Sequence, residues 1–506
     1  MTPGPMISSA PASRYFAAAD LGASSGRVIL GRLADGRFEL SETARFENGP
    51  LPASDGSLHW DARALFDHIR TGVQAALDAS DGALESVGVD TWGVDYGRCD
   101  AQGELVEAPF HYRDARTQGV PERLFATLPP ERLYANAGLQ VMSFNTVFQL
   151  VAAAGDDWTR VERVLLAPDL MSYWLSGRQV AEVTMASTTG LLDVASRTWS
   201  ADTCAHLAEH YGLPLGRVMP HLVEPGTVLG LSLDGLFSRR LKVVAVAGHD
   251  TASAVVSIPA TGTDFAFISS GTWSLVGLEL DSAVLTEESR AADFTNELGI
   301  DGTVRYLKNV MGLWVLSESL RAWKAAGRDA ELMPLLAAAA DRPGLSCVLD
   351  MTDARLLPPG DMPGRLLAMA AETGQDLADD PVAITRCILD SLALAYRNTI
   401  ATACALAGRA VSVVHIVGGG CQNRLLCQLT AEATGLPVVA GPAEGTALGN
   451  LLVQARACGA VSGDRTALRK VAIASSDLTT YSPGVLPFGQ AEWDDADRRA
   501  HAGRLS

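Results

Sequence analysis

The sequence predicts an α/β protein made of two similar domains with a cleft between them. The chain has 506 residues, which is too long for one ordinary core and suits two domains of roughly 200–250 residues each. Short apolar runs typical of buried strands alternate with stretches of helical periodicity, and this alternation indicates a layered α/β fold. Both halves of the chain also open with two apolar runs joined by a turn of small residues, which indicates a duplicated architecture.

In the first half, the elements are predicted in the order β-β-β-α-β. Asp35-Gly36 is a hairpin signal between the second and third strands. The helix has apolar side chains at helical spacing, and Asp61 is its predicted N-cap. The five segments are residues 15–20, 28–33, 38–46, 60–77 and 87–90.

The second half repeats the opening hairpin and continues with alternating helices and strands. Its predicted strands are residues 265–269, 273–280, 413–417 and 438–440, and its predicted helices are residues 381–407, 423–434 and 444–457. A run rich in Pro and Gly precedes an apolar stretch that ends near residues 246–248, where a domain boundary is expected. We therefore predict one domain over residues 14–247 and a second over residues 248–490.

Composition and charge argue against several classes of protein. The composition, 48% hydrophobic and 19% charged residues, is that of a globular protein. A formal net charge of -18 repels phosphate backbones and argues against a nucleic-acid partner. No apolar stretch reaches the roughly 18 residues of a membrane span, and residues 1–13 lack the features of a secretion signal and suggest a loose tail. The eight cysteines are scattered, which favours reduced thiols in a cytoplasmic protein without a membrane partner.

The first candidate site is the turn Asp20-Leu-Gly-Ala-Ser-Ser-Gly-Arg27. Small side chains let backbone N–H groups approach phosphate oxygens, and Ser24 and Ser25 add hydroxyl donors. Asp20, delivered by an apolar strand, is suited to hold a hydrated Mg²⁺. An ordinary β-hairpin with a glycine-rich turn is the alternative interpretation.

Two further glycine turns lie in the second half. Ser269-Ser-Gly-Thr272 is the counterpart of the first turn, and the pair would clamp a polyphosphate from both sides. Gly418-Gly-Gly420 lies between a strand and a helix, where a backbone approaches a nucleotide closely. It fits neither a dinucleotide-binding fingerprint nor a P-loop. Plain tight turns remain the alternative for both segments.

Gly248-His-Asp-Thr251 lies at the predicted domain junction, after a buried apolar run. A carboxylate at such a strand end can face a cleft, where Asp250 would accept a proton from a hydroxyl that attacks phosphorus. The alternative is structural, because Asp is also a favoured N-cap and a run of helix-forming residues follows.

Several polar and aromatic residues near strand ends are candidates for contacts with a sugar. Trp92-Gly93, the segment 111–114 and Asn309 combine an aromatic face with directional polar groups. A core tryptophan and surface ion pairs are the alternatives. For Arg305 and Lys308 the default interpretation is solvated charges.

These segments together resemble the FGGY family of carbohydrate kinases, within the actin/Hsp70-like ATPase superfamily. The resemblance runs from about Tyr15 to Gln454 and rests on seven ordered motifs. They are Asp20-Leu-Gly-Ala-Ser-Ser-Gly-Arg27, Asp90-Thr-Trp-Gly-Val-Asp95, Tyr112-Arg-Asp114, Gly248-His-Asp-Thr-Ala-Ser-Ala254, Ser269-Ser-Gly-Thr-Trp-Ser274, Lys308-Asn-Val-Met-Gly-Leu-Trp314 and Gly418-Gly-Gly-Cys-Gln-Asn423.

The resemblance implies two actin-like, ribonuclease H-type domains and an assignment of roles. Asp250 would be the general base, and Asp20 would hold Mg²⁺ through water. ATP would be bound by Ala23, Ser24, Ser25, Gly26, Arg27, Thr272, Gly419 and Gly420. The sugar would be bound by Gly93, His249, Asp250, Thr251 and Asn309. Ser317, on the helix after Asn309, shows no evident role in approaching the nucleotide.

The resemblance also implies the reaction. L-rhamnulose and ATP would give L-rhamnulose 1-phosphate and ADP, with Mg²⁺, in L-rhamnose breakdown. Sibling kinases for fuculose or xylulose share the phosphate-side motifs and remain an alternative, and a non-metabolic actin-like ATPase is a second. The expected partners are the small-molecule sugar and ATP, and the protein is expected to be a monomer or a small homo-oligomer.

Overall fold

The computed structural model describes residues 13–328 and 330–502. Two large sheets dominate it. The strands of the first sheet are β1 Arg14–Leu21, β2 Ser25–Ala34, β3 Arg37–Glu47, β6 Leu84–Thr91, β13 Thr227–Leu231 and β14 Lys242–Ala245. Those of the second are β15 Phe265–Ser270, β16 Trp273–Leu280, β17 Thr295–Leu298, β18 Val304–Met311, β19 Val413–Val417, β20 Val438–Ala440 and β21 Thr479–Tyr481. Short strand pairs are β4 Leu51–Pro52 with β5 Leu58–His59, β7 Tyr96–Cys99 with β8 Arg163–Leu166, β9 Ala181–Glu182 with β12 Leu222–Val223, and β10 Leu192–Asp193 with β11 Thr198–Trp199.

Helices cover and connect the sheets. Up to the second sheet they are α1 Ala62–Ala79, α2 Val120–Phe125, α3 Pro130–Ala137, α4 Thr146–Ala152, α5 Ala167–Ser176, α6 Val183–Ala186, α7 Ala201–Tyr211, α8 Leu215–Val218 and α9 Asp250–Val256. Beyond β16 they are α10 Glu287–Ala291, α11 Trp314–Ala325, α12 Leu332–Ala340, α13 Met362–Glu372, α14 Pro381–Ala407, α15 Arg424–Thr434, α16 Gly445–Ala457, α17 Arg465–Ala474 and α18 Gln490–Ala500. Within the described ranges, none of the helices has the length and apolar character needed to cross a membrane.

The two sheets have the same strand order, which confirms the duplicated α/β fold. In the first sheet the order is β13-β14-β6-β1-β2-β3, and in the second it is β21-β20-β19-β15-β16-β18 with β17 added at the edge. In each sheet the opening strand pairs antiparallel with the next and parallel with a strand that follows a helix. The carboxyl ends of the central parallel strands therefore lie at equivalent edges, which is where open α/β sheets bind ligands.

Helices α9 and α16 join the two halves. Apolar residues of both helices form one buried cluster with β1, β2 and β14 of the first sheet. The helices approach so closely that a Cβ on Gly449 of α16 would lie 1.7 Å from the backbone oxygen of Ser253 on α9. Only glycine fits there, and the contact fixes α9 against the helix that follows β20 of the second sheet.

The predicted elements agree with the structure apart from short pieces. Helix α14 and strands β19 and β20 have the predicted bounds, and Asp61 caps α1 by accepting from Ala64 N at 2.9 Å. The small β4–β5 hairpin interrupts the predicted β-β-β-α-β order. The domain boundary between residues 247 and 248 stays a prediction. Helix α18 begins at residue 490, the predicted end of the second domain, and buries Trp493 in the core of the second sheet. The predicted loose tail, residues 1–13, lies outside the described residues apart from Ser13.

Candidate active site

A cleft of about 320 Å³ opens between the two sheets. Its walls come from the hairpin turns β1–β2 and β15–β16, the segment after β6, the start of α9 and the turn after β19. Twelve of the residues that the sequence predicts for the site line it: Asp20, Ala23, Ser24, Ser25, Arg27, Gly93, His249, Asp250, Thr251, Thr272, Asn309 and Gly419. The fold thus brings together segments almost four hundred residues apart.

The β1–β2 turn is held by charge pairs as well as by its backbone. Gly22 N donates to Ser25 O at 2.9 Å and closes the turn. Arg27 donates to Asp20 Oδ2 at 2.8 Å and also pairs with Glu444, just before α16. Arg27 therefore links the first turn to the second half of the chain, at the end of the cleft where the sequence predicts phosphate.

The glycine turn after β19 lies against the β15–β16 hairpin. Gly418 has φ +82°, a left-handed conformation that favours glycine. A Cβ on Gly420 would lie 2.0 Å from Ser270 Oγ, so a side chain there would displace the hairpin. Gly420 packs behind the turn, whereas Gly418 and Gly419 line the cleft.

Asp250 lies at the carboxyl end of the first sheet. Thr91 N donates to Gly248 O at 2.9 Å, and this hydrogen bond continues the pairing of β6 with β14 beyond the end of β14. It places the next two residues, His249 and Asp250, in the cleft. His249 is the N-cap position of α9 and Asp250 is its first residue. The N-cap interpretation of Asp250 is therefore wrong.

The Asp250 carboxylate is asymmetrically bonded. Its Oδ1 accepts from Thr251 N at 2.5 Å and from Thr251 Oγ1 at 3.1 Å, and it lies 3.3 Å from His249 Nε2. In the described part of the chain no hydrogen bond engages Oδ2. Burial raises the pKa of Asp250, while His249 and the Thr251 donors oppose that rise and Asp20 adds to it. The side chain is 33% exposed, toward the cleft.

An aromatic wall forms one end of the cleft, where the sequence predicts the sugar. Trp92 packs on Trp60 with ring centroids 4.0 Å apart, and both indole N–H groups donate to Asp95 Oδ2, at 2.9 and 2.6 Å. Tyr112 N donates to the same oxygen at 3.2 Å, and Gln149 Nε2 donates to Oδ1 at 2.7 Å. Burial raises the pKa of Asp95 to about 6 against these donors. Trp92 is both a core residue and a cleft residue.

Residues from both halves meet across the cleft at this end. Asn309 donates through its backbone N and its Nδ2 to Gln140 Oε1, each at 3.0 Å. The Asn296 backbone N–H donates to Gly138 O at 2.8 Å, and Ser187 Oγ accepts from Leu298 N at 2.9 Å. This end of the cleft is thereby closed by hydrogen bonds between β17–β18 and segments of the first half.

Some predicted residues lie outside the cleft, and some cleft residues were missed. Gly26 and Gly420 do not line it, and Ser317 is exposed on α11. The interpretation of Arg305 as a solvated charge is wrong, because it is fully buried against Glu297. Asp301-Gly302 is a hairpin signal in the sequence, and it could have predicted that Glu297 pairs with Arg305. The residues next to Gln140 in the sequence gave no sign that it lies in the cleft.

Comparison with known proteins gives the family. The model of the FGGY family of carbohydrate kinases, N-terminal domain, matches residues 15–257, and that of the C-terminal domain matches residues 266–458. The chain is 37% identical to a rhamnulokinase of Bacteroides thetaiotaomicron, over 95% of this chain and 97% of the relative. It is 39% identical to a rhamnulokinase of Enterococcus faecalis, over 88% of this chain and 90% of the relative.

The chain belongs to the FGGY family of carbohydrate kinases. It is therefore an ATP-dependent sugar kinase, and this membership decides against a non-metabolic ATPase. The FGGY fold is also that of a gluconate kinase from Lactobacillus acidophilus, with TM-score 0.79 and 14% identity over 98% of this chain and all of that chain. At that identity the likeness concerns the fold alone.

Proposed function

We propose that this FGGY kinase phosphorylates L-rhamnulose to L-rhamnulose 1-phosphate in L-rhamnose breakdown. The observation that carries the substrate is the identity of 37% and 39% to relatives named rhamnulokinase along nearly their whole length. A cytoplasmic location fits this role.

Asp250 acts as the general base in this proposal. A sugar hydroxyl placed against Oδ2 gives its proton to the carboxylate as its oxygen attacks the γ-phosphorus, and ADP leaves. Oδ2 suits this task because Oδ1 is already occupied by Thr251 and His249. Gly93 lies beside the same histidine, since a Cβ there would be 3.3 Å from His249 Nε2, and leaves room for the sugar, while Asn309 faces it from the second sheet.

The ATP phosphates are proposed to lie between the two hairpin turns. Backbone N–H groups and hydroxyls of Ala23, Ser24, Ser25 and Thr272 would meet the phosphate oxygens, with Gly419 against the nucleotide. Gly26 and Gly420 support this site from behind the turns. Arg27 would have to share its guanidinium between phosphate and the carboxylates that it now binds.

The donor set of Asp20 fits a hydrated Mg²⁺. Its Oδ2 is engaged by Arg27, whereas Oδ1 has no hydrogen bond in the described residues. Among those residues no three His, Cys, Asp or Glu side chains are grouped as metal ligands, which suits Mg²⁺ because it binds through one or two carboxylates, waters and substrate phosphates. When bound, Mg²⁺ supplies neutralisation of phosphate charge.

A sugar panel tests the substrate. ADP release is measured with L-rhamnulose, L-fuculose and D-xylulose, each with Mg²⁺ and with EDTA. We expect kcat/KM for L-rhamnulose to exceed the others by at least about tenfold, because a misplaced hydroxyl leaves buried polar groups unpaired. Equal kcat/KM values for the three sugars would contradict the L-rhamnulose assignment. Rates that EDTA leaves unchanged would contradict the requirement for Mg²⁺.

The base is tested by Asp250→Asn. The amide cannot accept the proton, so kcat should fall by roughly 10²-fold or more, while ATP binding measured by calorimetry stays near that of the parent. Asp376→Asn, at an exposed position, is the matched control. A sugar turnover near normal in Asp250→Asn contradicts the assignment of the base.

A further inference from the structure

A buried group of charged residues lies behind the proposed base. Arg305 on β18 and Glu297 on β17 are directly opposite in the antiparallel register. Their side chains are 0% and 6% exposed, and Arg305 Nη1 lies 2.8 Å from Glu297 Oε2. Burying such a pair is costly, and a hydrophobic pair of similar volume would often be at least as stable. Its place beside the cleft suggests that it does more than stabilise the fold.

The pair contacts the histidine that precedes Asp250. Arg305 Nη1 lies 3.1 Å from His249 Nδ1, and Glu297 Oε2 lies 3.1 Å from the same nitrogen. An arginine N–H only donates, so the hydrogen bond from Nη1 makes Nδ1 an acceptor and leaves the ring proton on Nε2. Glu297 Oε2 accepts no hydrogen bond in the described residues, so its contacts with Nη1 and Nδ1 are charge contacts and do not place a proton on Nδ1.

The other ring nitrogen faces Asp250. His249 Nε2 lies 3.3 Å from Asp250 Oδ1, the oxygen that Thr251 also binds. A proton on Nε2 therefore lies beside Oδ1 as a partial positive charge, and Oδ2 is the open oxygen of the carboxylate. The tautomer of His249 thus decides whether Oδ1 faces an N–H group or a nitrogen lone pair.

We infer that Arg305 and Glu297 are positioning residues that hold His249 as its Nε2–H tautomer, so that Asp250 presents Oδ2 to the sugar hydroxyl. Arg305 supplies the N–H that selects the tautomer. Glu297 neutralises the buried guanidinium and fixes its direction, and Arg305 Nε is held by Leu298 O at 3.1 Å. The inference rests on the proposed role of Asp250 as base.

The double variant Glu297→Gln/Arg305→Met tests the inference without leaving a lone buried charge. Without the Arg305 donor, His249 loses its fixed tautomer and Asp250 loses the neighbouring Nε2–H dipole that favours its ionised form. The acid limb of the pH profile of kcat should move to higher pH. Misplacement of a reacting group by about 1 Å can cost 10²-fold, so we expect kcat to fall by about tenfold to 10²-fold with ATP affinity unchanged.

The single variant Glu297→Gln gives an effect of opposite sign. Arg305 keeps its bonds to the Gln oxygen and to Nδ1, but its charge is no longer neutralised. The excess positive charge favours ionised Asp250, so the acid limb should move to lower pH. The charged groups that surround Asp250 and His249, and that stay in place in this variant, are Asp20, Asp90, Glu182 and Arg305.

The buried pair Arg386–Asp390 on α14 is the matched control. Its side chains are 6% and 1% exposed, with Nε and Oδ1 3.0 Å apart, and neither lines the cleft. Arg386→Met/Asp390→Asn should lower stability without moving the pH profile.

The outcomes separate the two claims. If Asp250→Asn abolishes turnover and the Arg305 variants leave the acid limb in place, the positioning role is overturned and the base stands. If Asp250→Asn keeps its rate, the proposed function fails first. Should the double variant not fold, the 15N chemical shifts of the His249 ring nitrogens in the parent enzyme decide, because a proton on Nδ1 instead of Nε2 overturns the positioning role.

Discussion

Asp95 is the residue on which the aromatic wall of the cleft depends. It is 1% exposed and accepts N–H groups from Trp60, Trp92, Tyr112 and Gln149. A carboxylate is suited to this position because both of its oxygens accept and neither donates. The orientation of the rings that line this end of the cleft is thus set from behind by one buried acid.

Replacing Asp95 should destabilise the fold in a graded way. Asp95→Ala leaves buried donors without acceptors, at a cost of about 1–3 kcal/mol each, whereas Asp95→Asn keeps one oxygen for the two indoles. Chemical unfolding followed by tryptophan fluorescence should give a clearly lower midpoint for Asp95→Ala than for Asp95→Asn. Equal midpoints in the two variants would show that the donors have other partners.

The pH dependence of the parent provides an internal check. The pKa of Asp95 is about 6 in the folded chain, above the ordinary value of about 3.9. The folded chain therefore holds a proton that the unfolded chain releases, and this contribution to stability is full below pH 4 and lost as the pH rises through 6. Asp95→Asn should lack that part of the pH dependence.

At the scale of single residues, the sequence predicts the site residues that lie in turns or at strand ends. It misses those that enter the site through contacts between segments distant in the chain. Asp250 and Gly93 follow apolar runs directly, so their place at a cleft could be predicted from local pattern. Gln140 reaches the cleft through pairing across the two halves, with Asn309, and its neighbours along the chain give no sign of that pairing. Glu297 reaches it through the β17–β18 hairpin, which the Asp301-Gly302 turn signal could have indicated.

The packing of α9 against α16 controls the position of the proposed base, because α9 begins at Asp250. Gly449→Ala would place a Cβ 1.7 Å from Ser253 O and force the helices apart. Overpacking of this kind costs about 1–3 kcal/mol, and the shift of α9 should also lower kcat. Thermal unfolding and sugar turnover measure the two effects.

Gly216→Ala is the control for that prediction. Gly216 lies in the short helix α8, with open space where a Cβ would project. This change should be neutral or slightly stabilising, since alanine is favoured over glycine in helices by about 1 kcal/mol. If Gly449→Ala behaves like Gly216→Ala, close packing of the two helices does not hold the base in place.

Long elements were predicted well because their periodicity is a local property. Helix Pro381–Ala407 has the bounds predicted for it, and Pro381 lies at its first position, where proline is favoured. The two-residue strands Leu51–Pro52 and Leu58–His59 were missed, since such short segments have no period to detect. Their pairing depends on a turn and on contact with a neighbouring loop.

At the scale of the whole molecule, the shared strand order of the two sheets explains why two turns face one cleft. Strand β6 pairs with β14, about 150 residues farther along the chain, so this order could not be derived from local pattern. The equivalent edges of the two sheets face one cleft only if contacts between the two halves hold them in place. The hydrogen bonds between Gln140 and Asn309 are such contacts, at the proposed sugar end of the cleft.

Removing the Gln140 bridge should therefore weaken sugar binding more than ATP binding. Gln140→Ala leaves the two N–H donors of Asn309 without their acceptor. The loss of about 0.5–1.5 kcal/mol per hydrogen bond, or about 1–3 kcal/mol for the two, corresponds to a rise in the sugar KM of roughly 5- to 150-fold. Gln140→Glu keeps an acceptor oxygen in the same place and should restore most of the affinity. Steady-state kinetics with sugar and ATP varied separately measure both effects.

If the KM for ATP rises as much as that for the sugar, or if Gln140→Glu is as impaired as Gln140→Ala, the bridge does not act by holding Asn309 at the sugar.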